Sequence, residues 1–308
     1  MTQPSGEFAF IDWIRKQTAA DPRVVLGPGD DAAILGMRSD VACLATTDML
    51  LEGSCFLLEA GGRAIGRKAM AVNLSDMAAM AGIPTAALIS VGLPRHGGRK
   101  LAEELFLGLR ETAAAFDTAI VGGDTNSWRG PLVISVTLLG EATAKGPVCR
   151  SGAKPGDWLM VTGPLGGSIL GKHLTFTPRV REALCLHELV DLHAMIDISD
   201  GLAADLHHLC EESGCGAELD AGAIPLSDDA CRMADARPPL DRALGDGEDF
   251  ELLFAVDAAS GGELVRSQPI PGLTLVRIGR CVEQGIWLRR DGQREVLPPH
   301  GYVHALED

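Results

Sequence analysis

The chain has 308 residues, of which 46% are hydrophobic, and this is enough for two ordinary hydrophobic cores. Its formal net charge of −15 argues against nucleic acid or an anionic membrane as a partner, because either would repel it. The sequence contains eight cysteines but no Cys-x-x-Cys pair, and it shows no secretory leader. It also has no apolar run near the roughly 18 residues that span a bilayer. These features predict a cytoplasmic protein with reduced thiols.

The first half of the sequence predicts alternating strands and helices. After an amphipathic helix at 8–14, strands are predicted at 24–26, 41–45, 85–93, 119–121 and 132–139, with helices at 65–80 and 101–116. Three of these strands are followed by acidic or hydroxyl residues, which include Asp31, Thr46, Thr47, Asp48 and Asp124.

A loop-rich stretch at 145–157 marks a predicted boundary between a first domain, 1–145, and a second domain, 146–308. In the second domain, strands at 158–162, 194–198, 217–219, 251–256 and 273–280 accompany helices at 164–172, 181–192, 200–212 and 258–266. Asp291-Gly292 predicts the turn of a terminal hairpin. The pattern predicts an α+β (mixed α/β) protein.

The stretch at 194–206 is the most informative in the chain. Asp197 closes a predicted buried strand, Ser199 stands where a helix N-cap is wanted, and Asp200 opens the helix. Carboxylates near the positive end of a helix dipole suit a metal ion held beside a phosphate, although a capped helix with one solvated aspartate would show the same pattern. Leu-Ser-Asp at 74–76 repeats this motif and predicts that Asp76 opens a second helix in a related unit.

The acids that follow the strands are predicted to cluster, because neighbouring strands lie about 5 Å apart. Each aspartate taken singly is explained as readily by a turn or a helix cap. Taken together, they would repel one another unless they held a divalent metal. Glycines beside them, such as Gly123, would let backbone amides approach phosphate oxygens.

Two further motifs each allow two interpretations. Residues 166–173 nearly match the phosphate-binding pattern G-x-x-x-x-G-K-[ST], but His173 replaces the hydroxyl residue, which favours a glycine-rich helix start. Residues 245–251 carry four acids before an apolar strand. They form either a solvated turn or a site where Glu248 meets a cationic substrate.

Eight stretches of the sequence form an ordered set over nearly the whole chain: 6–8, 29–32, 47–48, 68–76, 121–125, 150–157, 196–202 and 247–252. They resemble the thiamine-monophosphate kinase family, which shares a superfamily with aminoimidazole ribonucleotide synthetase and selenophosphate synthetase. The resemblance implies an N-terminal mixed sheet with helices that dimerises, a C-terminal α/β sandwich, and a site in the cleft between the domains.

The resemblance also implies an activity, the ATP-dependent phosphorylation of thiamine monophosphate to thiamine diphosphate in a homodimer with several Mg²⁺ ions. Transfer would be direct and in line, so that positioning and cations replace a protein nucleophile. The implied metal ligands are Asp31, Thr46, Thr47, Asp48, Asp76, Asp124, Asp197 and Asp200. The implied nucleotide contacts are Gly123, Asp124, Arg150 and Ser199, and the implied substrate contacts are Glu248 and Cys55.

The chain departs from the family pattern on the acceptor side alone. Cys55 stands where the family often has a histidine, Asp246 replaces a glycine, residues 171–178 are shortened, and residues 298–302 stand where an aromatic often packs on the substrate. Two alternatives remain: another ATP-using enzyme of the superfamily with a different small acceptor, or a non-catalytic nucleotide-binding relative. Loss of metal aspartates would favour the second, and none is lost.

Overall fold

The computed structural model describes residues 13–14, 16–18, 20–26 and 33–302. The chain divides into two compact units, one formed by 1–77 with 82–146 and the other by 78–81 with 147–308. Each unit combines a mixed β-sheet with helices, which confirms the predicted α+β class. The helix predicted at 8–14 lies mostly outside the described residues.

The described part of the first unit contains a four-stranded sheet in the order β3-β6-β4-β5 and a separate antiparallel pair, β1 and β2. Within the larger sheet β4 and β5 are parallel, and the other neighbours are antiparallel. The strands are β1 (Val24–Leu26), β2 (Ile34–Leu35), β3 (Cys43–Leu51), β4 (Ile83–Pro94), β5 (Ala119–Trp128) and β6 (Val133–Glu141), and the helices are α1 (Gly62–Ala79) and α2 (Gly98–Ala115).

The two faces of this sheet differ in character. Ile134, Val136 and Leu138 alternate along β6 and are fully buried on one face. The β6 residues between these three lie on the other face, together with their partners on β3 and β4. Two of those partners, Met49 and Leu88, are 63% and 38% exposed. Since alternate side chains of a strand point to opposite faces, the sheet has one packed face and one open face.

The second unit is built on a seven-stranded sheet in the order β13-β12-β9-β11-β7-β10-β8 within the described residues. All neighbours are antiparallel except β9 and β12, and every residue of β10 is buried. Its strands are β7 (Trp158–Val161), β8 (Leu192–Asp197), β9 (Gly216–Asp220), β10 (Leu252–Val256), β11 (Val276–Val282), β12 (Ile286–Arg290) and β13 (Gln293–Val296). Its helices are α3 (Lys172–Thr175), α4 (Val180–Leu189), α5 (Leu202–Ser213), α6 (Asp228–Arg232), α7 (Pro239–Gly245) and α8 (Ala258–Ser267).

Most predicted elements are present, including the terminal hairpin, which turns at Asp291 and Gly292 between β12 and β13. The helix predicted at 164–172 is wrong. A 3-10 turn at Ser168–Leu170 and the short α3 replace it, because glycines with positive φ at 166, 167 and 171 interrupt helical geometry. Helices α6 and α7 had no sequence prediction.

The strand ends of the first unit also differ from the prediction. Strand β3 continues through Thr46, Thr47 and Asp48, and β5 continues through Asp124, so these residues lie inside strands and do not follow them. The Thr residues favour extended backbone, and alternate burial persists to Leu50, which extends the strand.

Candidate functional site

The centre of the second unit's candidate site is a backbone pairing that continues the β8–β10 ladder beyond both strands. Asp197 and Leu252 are the last paired residues of the strands. Beyond them, the Ile198 amide donates to the Glu251 carbonyl, and the Phe250 amide donates to the Ile198 carbonyl, both at 2.8 Å. The loop after β8 and the loop before β10 are therefore held side by side.

A third backbone bond of this pairing joins predicted site residues from different parts of the sequence. The Glu248 amide donates to the Ser199 carbonyl at 2.7 Å. Glu248 has φ +54°, in the left-handed region, and follows Gly247, where a Cβ would lie 2.7 Å from the Ser199 carbonyl oxygen. Close backbone contact therefore requires Gly247, and it places Glu248 beside Ser199 and Asp200.

The residue that caps α5 differs from the prediction. The prediction that Ser199 is the N-cap is wrong: the helix begins at Leu202 after Gly201, which has φ +125°. The buried carboxylate of Asp205, in the first turn of α5, reaches back and accepts from the amides of Asp200 and Gly201 at 3.2 and 3.1 Å. The sequence signal for this role is an acid in the first turn of a helix, three residues after Leu202.

Three carboxylates concentrate negative charge at this loop. Burial, together with the charges of Asp197 and Asp200, raises the pKa of Asp205 to about 8 against the opposing effect of the two amides. Asp197 is buried and Asp200 half-buried. Their oxygens are hard donors of the kind that Mg²⁺ prefers, and a cation would relieve the repulsion, so Asp197 and Asp200 fit a magnesium site.

The acids at 245–251 do not form a solvated turn, because Asp249 and Glu251 are fully buried. Both Asp249 oxygens lie 2.9 Å from the Gly166 amide. Glu251 accepts from Lys172 at 2.9 Å and from two nitrogens of Arg179 at 2.8 and 2.9 Å. Burial would raise the pKa of Glu251, but the Arg179 hydrogen bond and the Lys172 charge hold it below its usual value.

These bonds also explain the near-match to a phosphate-binding loop at 166–173. Its lysine, Lys172, is paired with Glu251, and its Gly166 amide is taken by Asp249. The Gly167 amide donates to Asp246 at 3.0 Å. Protein carboxylates therefore occupy the groups that would cradle a phosphate, which agrees with the prediction against a P-loop.

The C-terminal segment reaches the same loop. The Tyr302 amide donates to the Asp200 carbonyl at 2.9 Å, and the Tyr302 residue is 50% exposed. An aromatic side chain thus belongs to the segment beside Asp200, within the tail at 298–302 where the family often has an aromatic against the substrate; Tyr302 itself was not among the predicted site residues. The contact joins residues about a hundred positions apart, which no local motif reveals.

Other predicted ligands lie in the first unit, on both faces of its sheet. The Thr46 hydroxyl donates to the Asp76 carboxylate at 2.5 Å, and Asp48 shares the Thr46 face. Thr47 and Asp124 occupy the open face, in strands at opposite edges of the sheet. Three strand spacings separate those edges by about 14 Å, so the predicted convergence of all these acids within one sheet is wrong.

The helix predicted to begin at Asp76 is also absent. Helix α1 runs from Gly62 to Ala79, so Asp76 lies in its last turn, where the dipole disfavours a carboxylate. The half-buried Asp76 is instead held by the Thr46 bond. Residues 74–76 therefore do not repeat the geometry of the loop at 197–201.

The remaining predicted residues have contacts of their own. A Cβ at Gly123 would lie 1.7 Å from the Ile89 carbonyl oxygen, so strand packing alone requires this glycine. Cys55 lies in the turn after β3, and its carbonyl accepts from the buried Lys68 at 2.5 Å. Arg150 is exposed, and its carbonyl accepts from Ser213 at the end of α5. Asp31 lies outside the described residues.

Among the residues with described positions, no three acids, histidines or cysteines converge closely enough to hold a metal ion by themselves. The predicted ligand set is distributed over two units and two faces of one sheet. A metal ion at the loop of 197–200 would need oxygen ligands besides Asp197 and Asp200, which nucleotide phosphates and water commonly supply to Mg²⁺.

Comparison with known proteins identifies the family. The family models of the AIR synthase related protein match in sequence order, the N-terminal domain at 29–142 and the C-terminal domain at 154–285. The chain is 40% identical to the thiamine-monophosphate kinase of Rhodopirellula baltica over 314 residues, covering 98% of both chains. The chain belongs to the thiamine-monophosphate kinase family.

Solved structures of this family have the same fold. The thiamine-monophosphate kinase of Stenotrophomonas maltophilia K279a superposes with a TM-score of 0.82 at 34% identity, covering 94% of this chain and 97% of the other. AaThiL complexed with AMPPCP and TMP superposes with a TM-score of 0.77 at 31% identity, covering 97% of each chain. No helix in the described part of this family member is both long and apolar enough to cross a membrane.

The buried Asp249 predicts a pH dependence of stability. Burial raises its pKa to about 7, whereas in the unfolded chain it would ionise near pH 4. Folding therefore takes up a proton between these values, and Asp249 lowers the free energy of unfolding as pH rises from 4 to 7. Asp249→Asn removes this titration, so its free energy of unfolding should rise relative to that of the wild type as pH increases. We expect this relative gain to be on the order of 2 kcal/mol between pH 5 and pH 8, measured by urea unfolding.

A suitable control is Asp257→Asn at the N-terminus of α8, because Asp257 is a half-buried cap whose pKa is lowered by hydrogen bonds from Ser260. Its stability difference from the wild type should change little between pH 5 and pH 8. If the stability difference between Asp249→Asn and the wild type is the same at pH 5 and pH 8, then Asp249 is ionised in the folded protein throughout this range, and the prediction is wrong.

Proposed function

We propose that this chain transfers the γ-phosphate of ATP to thiamine monophosphate and so forms thiamine diphosphate. The observation that carries the proposal is the backbone pairing that sets Glu248 beside Ser199 and Asp200. This pairing fixes the backbone of three proposed site residues relative to one another: the acceptor contact Glu248, the nucleotide contact Ser199 and the metal ligand Asp200. AaThiL, with AMPPCP and TMP bound, supports the substrate pair at 31% identity over 97% of this chain.

The acceptor side of the loop has the chemistry that a thiamine phosphate requires. Thiazolium carries a fixed positive charge, which the half-buried carboxylate of Glu248 would attract. The Tyr302 residue, bonded through its amide to Asp200, offers an aromatic ring to an organic cation. Cys55, in the first unit, is the weaker candidate contact, because a thiol is a poor hydrogen-bond donor.

The phosphate side would use Mg²⁺ bound by Asp197 and Asp200. Bound Mg²⁺ would neutralise the charge of the transferring phosphoryl group and the polyphosphate. The chain's own task is to hold these two carboxylates and Ser199 in fixed positions, which the pairing with residues 248–251 and the amide of Tyr302 accomplish. Transfer is direct and in line, without a protein nucleophile.

The first unit carries the other proposed metal ligands. Thr46 and Asp76 are already joined by a hydrogen bond, and Asp48 lies two residues along β3 on the same face. These oxygens form a second acidic group suited to a hard cation, and the proposed ligand Asp31 lies outside the described residues. Thr47 and Asp124 are the other two proposed ligands of this unit, and they do not join this group within the sheet, because they lie on its open face.

We also propose that the active form is a homodimer paired through the open face. Its support is an uncovered sheet face that exposes Met49, Leu51, Leu88 and Trp128, which is unusual for a surface facing water. Thr47 and Asp124 would then lie at the interface between subunits. A single-chain mass in sedimentation equilibrium at micromolar concentration would argue against this assembly.

The direct test of the activity follows label from γ-labelled ATP in the presence of Mg²⁺. Thiamine monophosphate, thiamine and aminoimidazole precursors are offered separately, and the products are identified by mass. We expect label in thiamine diphosphate and none in the other acceptors. Transfer to another acceptor alone would favour a different enzyme of the superfamily, and ATP binding without transfer would favour a non-catalytic relative.

Charge removal at Glu248 tests the acceptor site separately. We expect Glu248→Gln to raise the KM for thiamine monophosphate about tenfold, equivalent to about 1.4 kcal/mol of lost attraction, with the KM for ATP unchanged. Cys55→Ser, the comparison variant, should change either constant little. Steady-state kinetics with each substrate varied in turn would decide it, and an unchanged acceptor KM in Glu248→Gln would leave Glu248 a turn residue.

A further inference from the structure

We infer that Asp205 is a positioning residue for the metal-binding loop, a role that rests on the proposed function of Asp197 and Asp200. It contacts neither substrate nor the reacting atoms in this proposal. Its carboxylate acts through the backbone, by fixing the two amides that follow the Ser199 carbonyl. The geometry of Asp200 then depends on a side chain five residues further along the chain.

The position of Asp205 is unlike that of the other helix caps in the second unit. Ser227 and Asp257 stand before their helices and accept from amides two or three residues ahead, as N-caps do. Asp205 instead lies inside α5 and accepts backwards from Asp200 and Gly201, which precede the helix. Its bonds therefore stabilise the loop before the helix as well as the helix itself.

This arrangement carries an electrostatic cost that a purely structural cap would avoid. Asp205 is only 2% exposed and lies close to two other carboxylates, those of Asp197 and Asp200. Burying a third acid behind such a pair is unfavourable unless the pair faces a cation. The cost is consistent with a group kept for the shape of the loop, because one of its oxygens accepts from the amides of both Asp200 and Gly201.

The backbone of Asp200 is held from three directions. Its carbonyl accepts from Tyr302, its amide donates to Asp205, and the preceding Ser199 carbonyl accepts from Glu248. The bonds from Tyr302 and Glu248 come from other segments, and Asp205 supplies the restraint from the side of α5. Without Asp205, two amides lose their acceptor and the loop is free to shift away from the helix while Glu248 and Tyr302 stay bonded.

The experiment measures the Mg²⁺ concentration that gives half-maximal phosphorylation of thiamine monophosphate at saturating ATP. Loss of a group that orients metal ligands typically costs 10- to 100-fold in metal affinity or activity. We expect Asp205→Ala to raise the half-maximal Mg²⁺ concentration by about 10-fold or more. Asp205→Asn, which keeps an oxygen acceptor, should recover most of that loss.

Asp257→Ala is the matched control, because Asp257 also accepts from two amides at the start of a helix, α8. It should lower the melting temperature and leave the Mg²⁺ requirement unchanged. An unchanged Mg²⁺ requirement in folded Asp205→Ala would overturn the inference. Equal losses in Asp205→Ala and Asp205→Asn would also overturn it, since they would assign the effect to charge and not to the held amides.

Two further measurements keep the test decisive. If Asp205→Ala does not fold, Asp205→Ser replaces it, since the shorter hydroxyl cannot reach both amides. If the wild type fails to phosphorylate thiamine monophosphate, the proposed function fails, and the same variants are compared by the Mg²⁺ dependence of ATP binding in calorimetry. A 10-fold shift there for Asp205→Ala, recovered in Asp205→Asn, would support the positioning role independently of the acceptor, and no shift would refute it.

Discussion

The candidate site depends on one extension of regular structure, the continuation of the β8–β10 ladder into the loop after β8 and the loop before β10. Beyond Asp197, the carbonyls of Ile198 and Ser199 accept from Phe250 and Glu248, residues that would otherwise belong to an unconstrained turn. Because each bond fixes backbone and not side chain alone, the positions of Ser199, Asp200 and Glu248 are coupled. A displacement of the backbone in either loop is therefore expected to disturb both metal and acceptor contacts.

Buried acids hold this extension against the interior of the second unit. Asp249 and Glu251 alternate with Glu248 and Phe250, and they turn inward to the Gly166 amide, Lys172 and Arg179. The pairing of Glu251 with Lys172 and Arg179 makes the loss of one partner expensive, since it leaves an uncompensated charge in the interior. Half-exposed pairs such as Arg289 with Asp220 contribute far less, because water and salt screen them. The rigidity of the loop thus comes from its buried side, and Glu248 is left at the partly exposed side.

Sequence patterns could predict what depends on local chemistry. The strand ending at Asp197 and the hairpin turn at Asp291-Gly292 follow from apolar runs and turn residues, and the structure confirms them. The ends of β3 and β5 could not be found in this way, because polar residues on the open face of a sheet continue a strand without an apolar signal. Thr47 and Asp124 were consequently expected at strand ends.

Roles that depend on distant contacts were also beyond the sequence. Ser199 has the composition of an N-cap, but the left-handed Gly201 delays the helix, and Asp205 takes over the amides. Asp249 and Glu251 resemble solvated turn residues until their partners at 166–179 are brought against them by the sheet. The contact of Tyr302 with Asp200 spans most of the second unit's sequence and has no local signature.

The central claim is that carboxylates fixed by this loop receive nucleotide only together with a divalent cation. Calorimetric titration of the wild-type chain with ATP, in Mg²⁺ and again with EDTA in excess, tests it most directly. The fixed acids predict binding in Mg²⁺ and little or none in EDTA, because the uncompensated carboxylates would repel a triphosphate. Equal affinity in the two titrations would contradict the claim and would mean that the acids of this loop do not act through a metal ion.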